Sequence, residues 1–214
     1  SKVQEDLAVA KIQNMVDGYD KEIANIKIQE QSRADAIEQA RTSSIDEIKK
    51  LLEQGYTNEL EASLKIATLN KFYDELILQN KLKTTEELHQ ASLKHLNTLS
   101  DNLQNENKLI TAWLKAEEST ELLELKEKYS KKLISESKYN EERLKIQKKF
   151  ADKEKVDRIV KLEEIIKNEK AILKKADGQN DAAAQQKAAE NIANLTTELN
   201  NLLSDQIEIK RPKT

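Results

Sequence analysis

The 214-residue sequence holds three Gly, one Pro and no Cys; 35% of it is charged and only 4% is aromatic. Gly and Pro make tight reversals, so few are available, and so little aromatic bulk argues against a wide globular core. The 36 basic and 39 acidic residues nearly cancel, to −3, and are interleaved, which leaves no large basic field for a phosphate backbone. Disulfides and thiolate metal sites are excluded, and no apolar run approaches the roughly 18 residues that span a bilayer.

Apolar residues recur at steps of three and four, the helical signature. The first stripe runs through Ile12, Val16, Tyr19, Ile23 and Ile26 and continues less regularly through Ile37, Ile48 and Leu52, with Gly18 inside it. Gly55, followed by Tyr56-Thr57-Asn58, is the first expected break. A second segment uses Leu60, Leu64, Leu69, Phe72 and Leu76 and is expected to stop near Asn80–Lys83. Thr84-Thr85-Glu86-Glu87 then reads as a capping box opening a third segment, with Leu96, Leu99, Leu103, Ile110 and Trp113 at heptad spacing and Glu106 as a polar interruption.

Around 121–156 the pattern predicts a helix–turn–helix. One helix ends in Tyr129-Ser130-Lys131-Lys132-Leu133-Ile134, Ser135 caps the next, and that helix uses Tyr139, Ile146 and Phe150. The last unit, 157–208, reads as an antiparallel helical hairpin. Ile159, Leu162, Ile166, Leu173 and Ala176 form its outgoing stripe, interrupted by Glu169; Ala188, Ile192, Leu195, Leu199 and Leu202 form the return. Between them Asp177-Gly178-Gln179-Asn180-Asp181 combines a Gly stop with an Asn or Asp N-cap.

The expected layout is therefore 1–120 as amphipathic segments, 121–156, 157–208 and a polar tail at 209–214. The class is all-α, an elongated, segmented coiled coil with narrow seams. Polar seam positions such as Glu106 and Glu169 weaken a seam while fixing its register. The seam residues Ile159, Leu162, Ile166, Leu173, Ile192, Leu195, Leu199 and Leu202 are the candidate interaction residues. Internal echoes occur at 29 residues (Glu61–Lys65 against Gln90–Lys94) and at 51 (Thr84 against Ser135), and the two periods disagree. The Ser1 start without Met and the polar end Lys210-Arg211-Pro212-Lys213-Thr214 lead us to expect a piece of a longer chain.

Chemistry is sparse. Glu86-Glu87-Leu88-His89 contains an E-x-x-H spacing, but a di-iron bundle needs the motif twice, and before His95 position 92 is Ser. Both histidines sit on a charged stretch that reads as solvated. No P-loop, dinucleotide fingerprint, H-E-x-x-H or nucleophile elbow occurs. Asn194-Leu195-Thr196 matches a glycosylation acceptor, but Leu195 lies on a seam. The Lys145–Lys155 run, five Lys broken by Asp152 and Glu154, reads as a solvated helix face. No catalytic, metal or cofactor site is expected.

Tyr129-Ser130-Lys131-Lys132-Leu133-Ile134-Ser135-Glu136-Ser137-Lys138-Tyr139, with Leu144, Ile146 and Phe150-Ala151 after it, resembles the helical region of phage tail tape measure proteins, particularly those of Bacteroidetes phages. Such proteins carry Tyr-x-x-Gly-x-Ile-[Ser/Thr]-x-x-x-Tyr leading into a long charged helix, followed by a helical hairpin like that at Gly178. The resemblance covers 121–203, and Lys132 stands where the motif has Gly. It implies a non-enzymatic structural protein that packs in the tail lumen of the virion and helps set tail length. The alternative is an intracellular, cytoplasmic scaffold or adaptor that binds partner helices. On either reading the expected partners are helical proteins or other copies of the chain in a homo-oligomer, with neither a membrane nor nucleic acid as primary partner.

Overall fold

The computed structural model describes the backbone of residues 2–209 and the side chains of residues 13–204. Among the described residues the chain is four helices and no strand: α1 (Lys2–Glu53), α2 (Glu59–Ser130), α3 (Glu136–Gly178) and α4 (Ala182–Ile209). The all-α class is what a Leu-, Ile-, Ala- and Lys-rich chain with almost no turn residues dictates. The Ile12 side chain and most of the polar tail lie outside the described residues. The chain packs as two units, Ser1–His95 and Leu96–Thr214, and α2 contributes to both. The division thus falls inside a helix, not near 120 and 156 as the composition suggested.

In the first unit α1 and the early part of α2 form an antiparallel hairpin. Asn80 to Lys83, the expected break, is uninterrupted helix. Thr84 is no N-cap: its hydroxyl donates to the Asn80 carbonyl at 3.0 Å, one turn back. The polar residues that suggested a stop are instead buried against α1, Asn80 being 7% and Thr84 4% exposed. The face of α2 turned inward also differs from the expected one. Ala62 and Tyr73 are buried, whereas Leu60, Leu64 and Phe72 are exposed. This half of α2 carries two apolar stripes, and periodicity alone does not say which one a partner covers.

The second unit is a three-helix arrangement of the later part of α2, α3 and α4. Ile110, Leu114 and Phe150 form one buried cluster, with Ile146 packed against it. Toward its C-terminal end α3 buries Leu162, Ile165, Ile166, Asn168, Glu169, Ile172 and Ala176. That arc is wider than a two-in-seven seam because α3 is covered on two sides: it packs on α4 and hydrogen-bonds to α2. Leu162 and Ile165 are fully buried.

All three turns share one hydrogen-bonding scheme. At the first, Gly55 N–H donates to Leu52 O at 3.1 Å and Tyr56 N–H to Leu51 O at 2.9 Å. At the second, Lys132 N–H donates to Tyr129 O at 2.9 Å and Leu133 N–H to Lys128 O at 3.0 Å. At the third, Asn180 N–H donates to Asp177 O at 3.2 Å and Asp181 N–H to Ala176 O at 2.9 Å. This is the Schellman closure, which needs one residue in the left-handed region; Gly55 (φ 78°), Lys132 (φ 56°) and Asn180 (φ 55°) supply it. Gly178, expected as the stop, is the last residue of α3, and Asn180 takes the left-handed position.

The first two turns also share a cap on the helix they open. Asn58 Oδ1 accepts from Glu61 N–H at 2.9 Å, and Ser135 Oγ accepts from Lys138 N–H at 3.3 Å; each capping residue lies three positions past the left-handed one. Gly55 and Lys132 stand 77 positions apart, and the same offset relates buried Ile48 to Leu125 and Tyr73 to Phe150. The structural repeat is thus a helix–turn–helix of that period. The echo at 51 residues has no structural counterpart, since Thr84 is mid-helix while Ser135 is an N-cap; in the echo at 29 residues the equivalent Ala62 and Ala91 are both buried in α2.

Candidate interaction surfaces

Polar rungs set the register of the first unit. The Arg33 guanidinium spans three turns of α2: Nε donates to Asn80 Oδ1 at 2.7 Å, one terminal nitrogen to Thr84 Oγ1 at 3.1 Å and to Glu87 Oε2 at 3.0 Å. Asn80 completes the rung by donating to the Glu30 carbonyl at 3.2 Å. The hydrogen bond from Arg33 holds the Glu87 carboxyl below its ordinary range, and Glu87 in turn raises Arg33. Nearer the turn, Arg41 donates to Asn70 at 2.9 Å and to Asp74 at 3.1 Å, and the Ser44 and Tyr73 hydroxyls meet at 3.0 Å. At the far end Tyr19 stacks on His95 with centroids 4.4 Å apart. Shifting α1 by one turn would break every rung at once, a device equivalent to the polar register positions of coiled coils.

The histidines differ from expectation. His89 is buried, 4% exposed, and His95 is a stacking partner; neither is on a solvated face. Glu86 of the E-x-x-H spacing is exposed and accepts from Gln90 at 2.7 Å. Among the described residues no group of three His or acidic residues is placed to hold a metal ion, and no described helix is long and apolar enough to cross a membrane.

In the second unit the polar seam residues act as interhelical locks. Glu169, 2% exposed, accepts from Ser100 of α2 and, at 3.1 Å, from Asn191 of α4, so one carboxylate ties three helices together. Asn168 beside it donates to the Leu96 carbonyl at 2.8 Å. Glu106 accepts from Lys161 at 3.0 Å, and Lys161 also reaches Glu164 at 2.8 Å. Burial opposes charge on Lys161, but the two carboxylates outweigh it and hold the ammonium above its ordinary value. Further along, Thr111 bonds Glu154 at 2.5 Å, Lys153 reaches Glu117 at 3.3 Å and Lys149 reaches Glu121 at 2.5 Å. Lysines of the 145–155 run therefore engage acids across the helix pair. The rings of Tyr129 and Tyr139 stack at 4.9 Å across the second turn.

Of the candidate interaction residues, Leu162 and Ile166 are buried, and Ile159, Leu173, Ile192, Leu195, Leu199 and Leu202 are half-buried. They lie on α3 and α4, which pack on each other within the chain. Arg158 of α3 donates to Glu198 of α4 at 2.8 Å. Periodicity missed Ile165 and Ile172, because a second covering helix widens the buried arc beyond one stripe. A polar cleft of about 540 Å³ opens beside this seam, lined by Gln104, Asn107, Arg158, Asn191, Asn194 and Glu198 among others. Its polar lining also includes the Lys108 ammonium and the Thr111 hydroxyl, the latter bonded to Glu154.

The fold and its surfaces define a helical-hairpin protein whose polar groups serve helix register. The chain matches no family model, no curated protein and no solved structure.

Proposed function

We propose that the chain is a non-enzymatic structural coiled-coil protein, a tail tape measure component or fragment that assembles through its helices with other copies or with helical partners. The observation that carries this reading is the repeated turn. The tape measure motif asks for Gly at the position Lys132 occupies, and the structural reason for that Gly is the left-handed backbone there. In the first copy of the turn the same position is Gly55, followed three residues later by the N-cap Asn58. Both copies thus share one turn geometry, and a repeat of long helix, turn and long helix suits an elongated protein whose length is its function. A lumen location follows from the same reading.

The test is made in the genome that encodes the chain. Tail-tube and baseplate genes are expected beside it. In-frame excision of residues 56–132, one repeat cut between equivalent turn positions, is expected to shorten the tail by up to about 115 Å, at roughly 1.5 Å per helical residue. A tail of unchanged length, or a neighbourhood without tail genes, would sink the tail reading and leave a helical scaffold or adaptor.

A further inference from the structure

The early part of α2 has two apolar faces, and α1 covers one. At about 100° per residue, Leu60, Leu64, Leu78 and Leu82 fall within an arc of roughly 40°, with Ala67, Lys71 and Glu75 between them. This stripe lies on the opposite side of the helix from Tyr73, Asn80 and Thr84, which bond to α1. Its leucines are 72%, 61%, 56% and 62% exposed. Single exposed leucines need no explanation, but four on one stripe mark a contact surface.

The charges beside the stripe indicate what covers it. Its N-terminal end is flanked by Glu59 and Glu61 and its C-terminal end by Lys81 and Lys83, and the leucines are spaced symmetrically about Lys71. A second copy laid antiparallel and centred on Lys71 sets Leu60 against Leu82 and Leu64 against Leu78. It also brings Glu59 and Glu61 of each copy alongside Lys81 and Lys83 of the other. A parallel pair would set acid on acid at one end and base on base at the other, which disfavours it. We propose that this face of α2 is a self-docking surface through which two copies of the chain pair antiparallel. Lys71 lies at the two-fold opposite its own counterpart, with Glu75 of the second copy one turn away to offset that like-charge contact, and this polar layer between two leucine layers fixes the register.

The contact runs over about 33 Å of helix. That places it at the low end of specific interfaces, so the pairing is weak and concentration-dependent, with dissociation in roughly the micromolar range. The proposal names the surface that the structural reading needs for assembly; it rests on that reading's self-association and not on its tail assignment.

Sedimentation of the full chain from about 5 to about 500 µM tests it, a span chosen to bracket micromolar dissociation. A monomer–dimer transition is expected, and the Leu64→Glu/Leu78→Glu variant is expected to stay monomeric throughout. At dilutions where the parent is itself monomeric, its helix content and melting should match the parent, because neither side chain lies on the face that bonds to α1. Orientation is read by cross-linking, which the cysteine-free chain permits. A mixture of Ser63→Cys and Lys81→Cys chains should form a mixed disulfide, while neither forms one efficiently alone. A parent chain monomeric at the highest concentration, a dimer that survives the double substitution, or efficient self-linking of either single variant would each overturn the proposal. None of these results bears on the genes beside the chain or on tail length, so the tail assignment is judged separately.

Discussion

The two copies of the turn differ at one decisive position, and exchanging what they carry there isolates a single physical effect. Lys132 holds a left-handed backbone, φ 56°, that Gly55 adopts at φ 78° in the equivalent place. A residue with a Cβ pays about 1–2 kcal/mol for that conformation. Replacing Lys132 by Gly recovers this strain, but the unfolded chain gains freedom worth about 0.4–1 kcal/mol in the opposite direction. The net expectation for Lys132→Gly is a stabilisation of about 0.5–1 kcal/mol.

Gly55→Ala should do the reverse. A Cβ built at Gly55 meets no atom within 4 Å, so the cost is conformational alone, about 1 kcal/mol before the entropic offset. Urea denaturation followed by circular dichroism resolves both changes, and by temperature each corresponds to roughly 2–4 °C for a chain of this size. Lys132→Gly that destabilises, or Gly55→Ala that stabilises, would refute the argument that backbone conformation sets the residue preference at these turns.

Two further outcomes concern the polar locks. Glu169→Ala leaves the Ser100 and Asn191 donors without their acceptor in a buried site and should cost about 3 kcal/mol, whereas Glu169→Gln, which keeps an acceptor, should cost about 1 kcal/mol; equal losses in urea melts would contradict the lock. The pairs predict opposite pH limits. The Glu87 carboxyl is depressed in the folded chain, so its stabilising contribution is complete above about 4.3, the ordinary Glu value, and is lost as pH falls through the depressed one. Lys161 is raised, so its contribution is complete below about 10.4, the ordinary Lys value, and is lost as pH rises through the raised one. Glu87→Gln should flatten the acid limb of stability against pH and Glu106→Gln the alkaline limb; parent-like limbs in both would show that neither pair matters.

Much of the chain's local architecture is legible without coordinates. The turns at Gly55 and Ser135 and the hairpin beyond Ile159 are written in residues whose local chemistry leaves little choice: a left-handed Gly, a hydroxyl cap, and stripes spaced three and four apart. The misreadings share one cause. Asn80, Thr84 and Glu87 look like a helix end because polar side chains that bond backbone also cap helices. Only the presence of Arg33 opposite them turns the same residues into a buried rung. His89 looked solvated for a similar reason, since its neighbours in sequence are charged while its neighbours in space are not visible there.

The helical state is specified locally, because propensity, periodicity and the scarcity of turn residues all agree. So is the presence of polar groups in the seams, through Glu106 and Glu169. Packing in three dimensions selects which of two apolar stripes on α2 is covered, how wide the buried arc of α3 becomes, and which carboxylates act as locks. Those outcomes depend on what stands across a helix, and a one-dimensional pattern specifies a helix face without specifying its neighbour. The 77-position repeat belongs to the same class, since its two copies share backbone hydrogen bonds and few side chains.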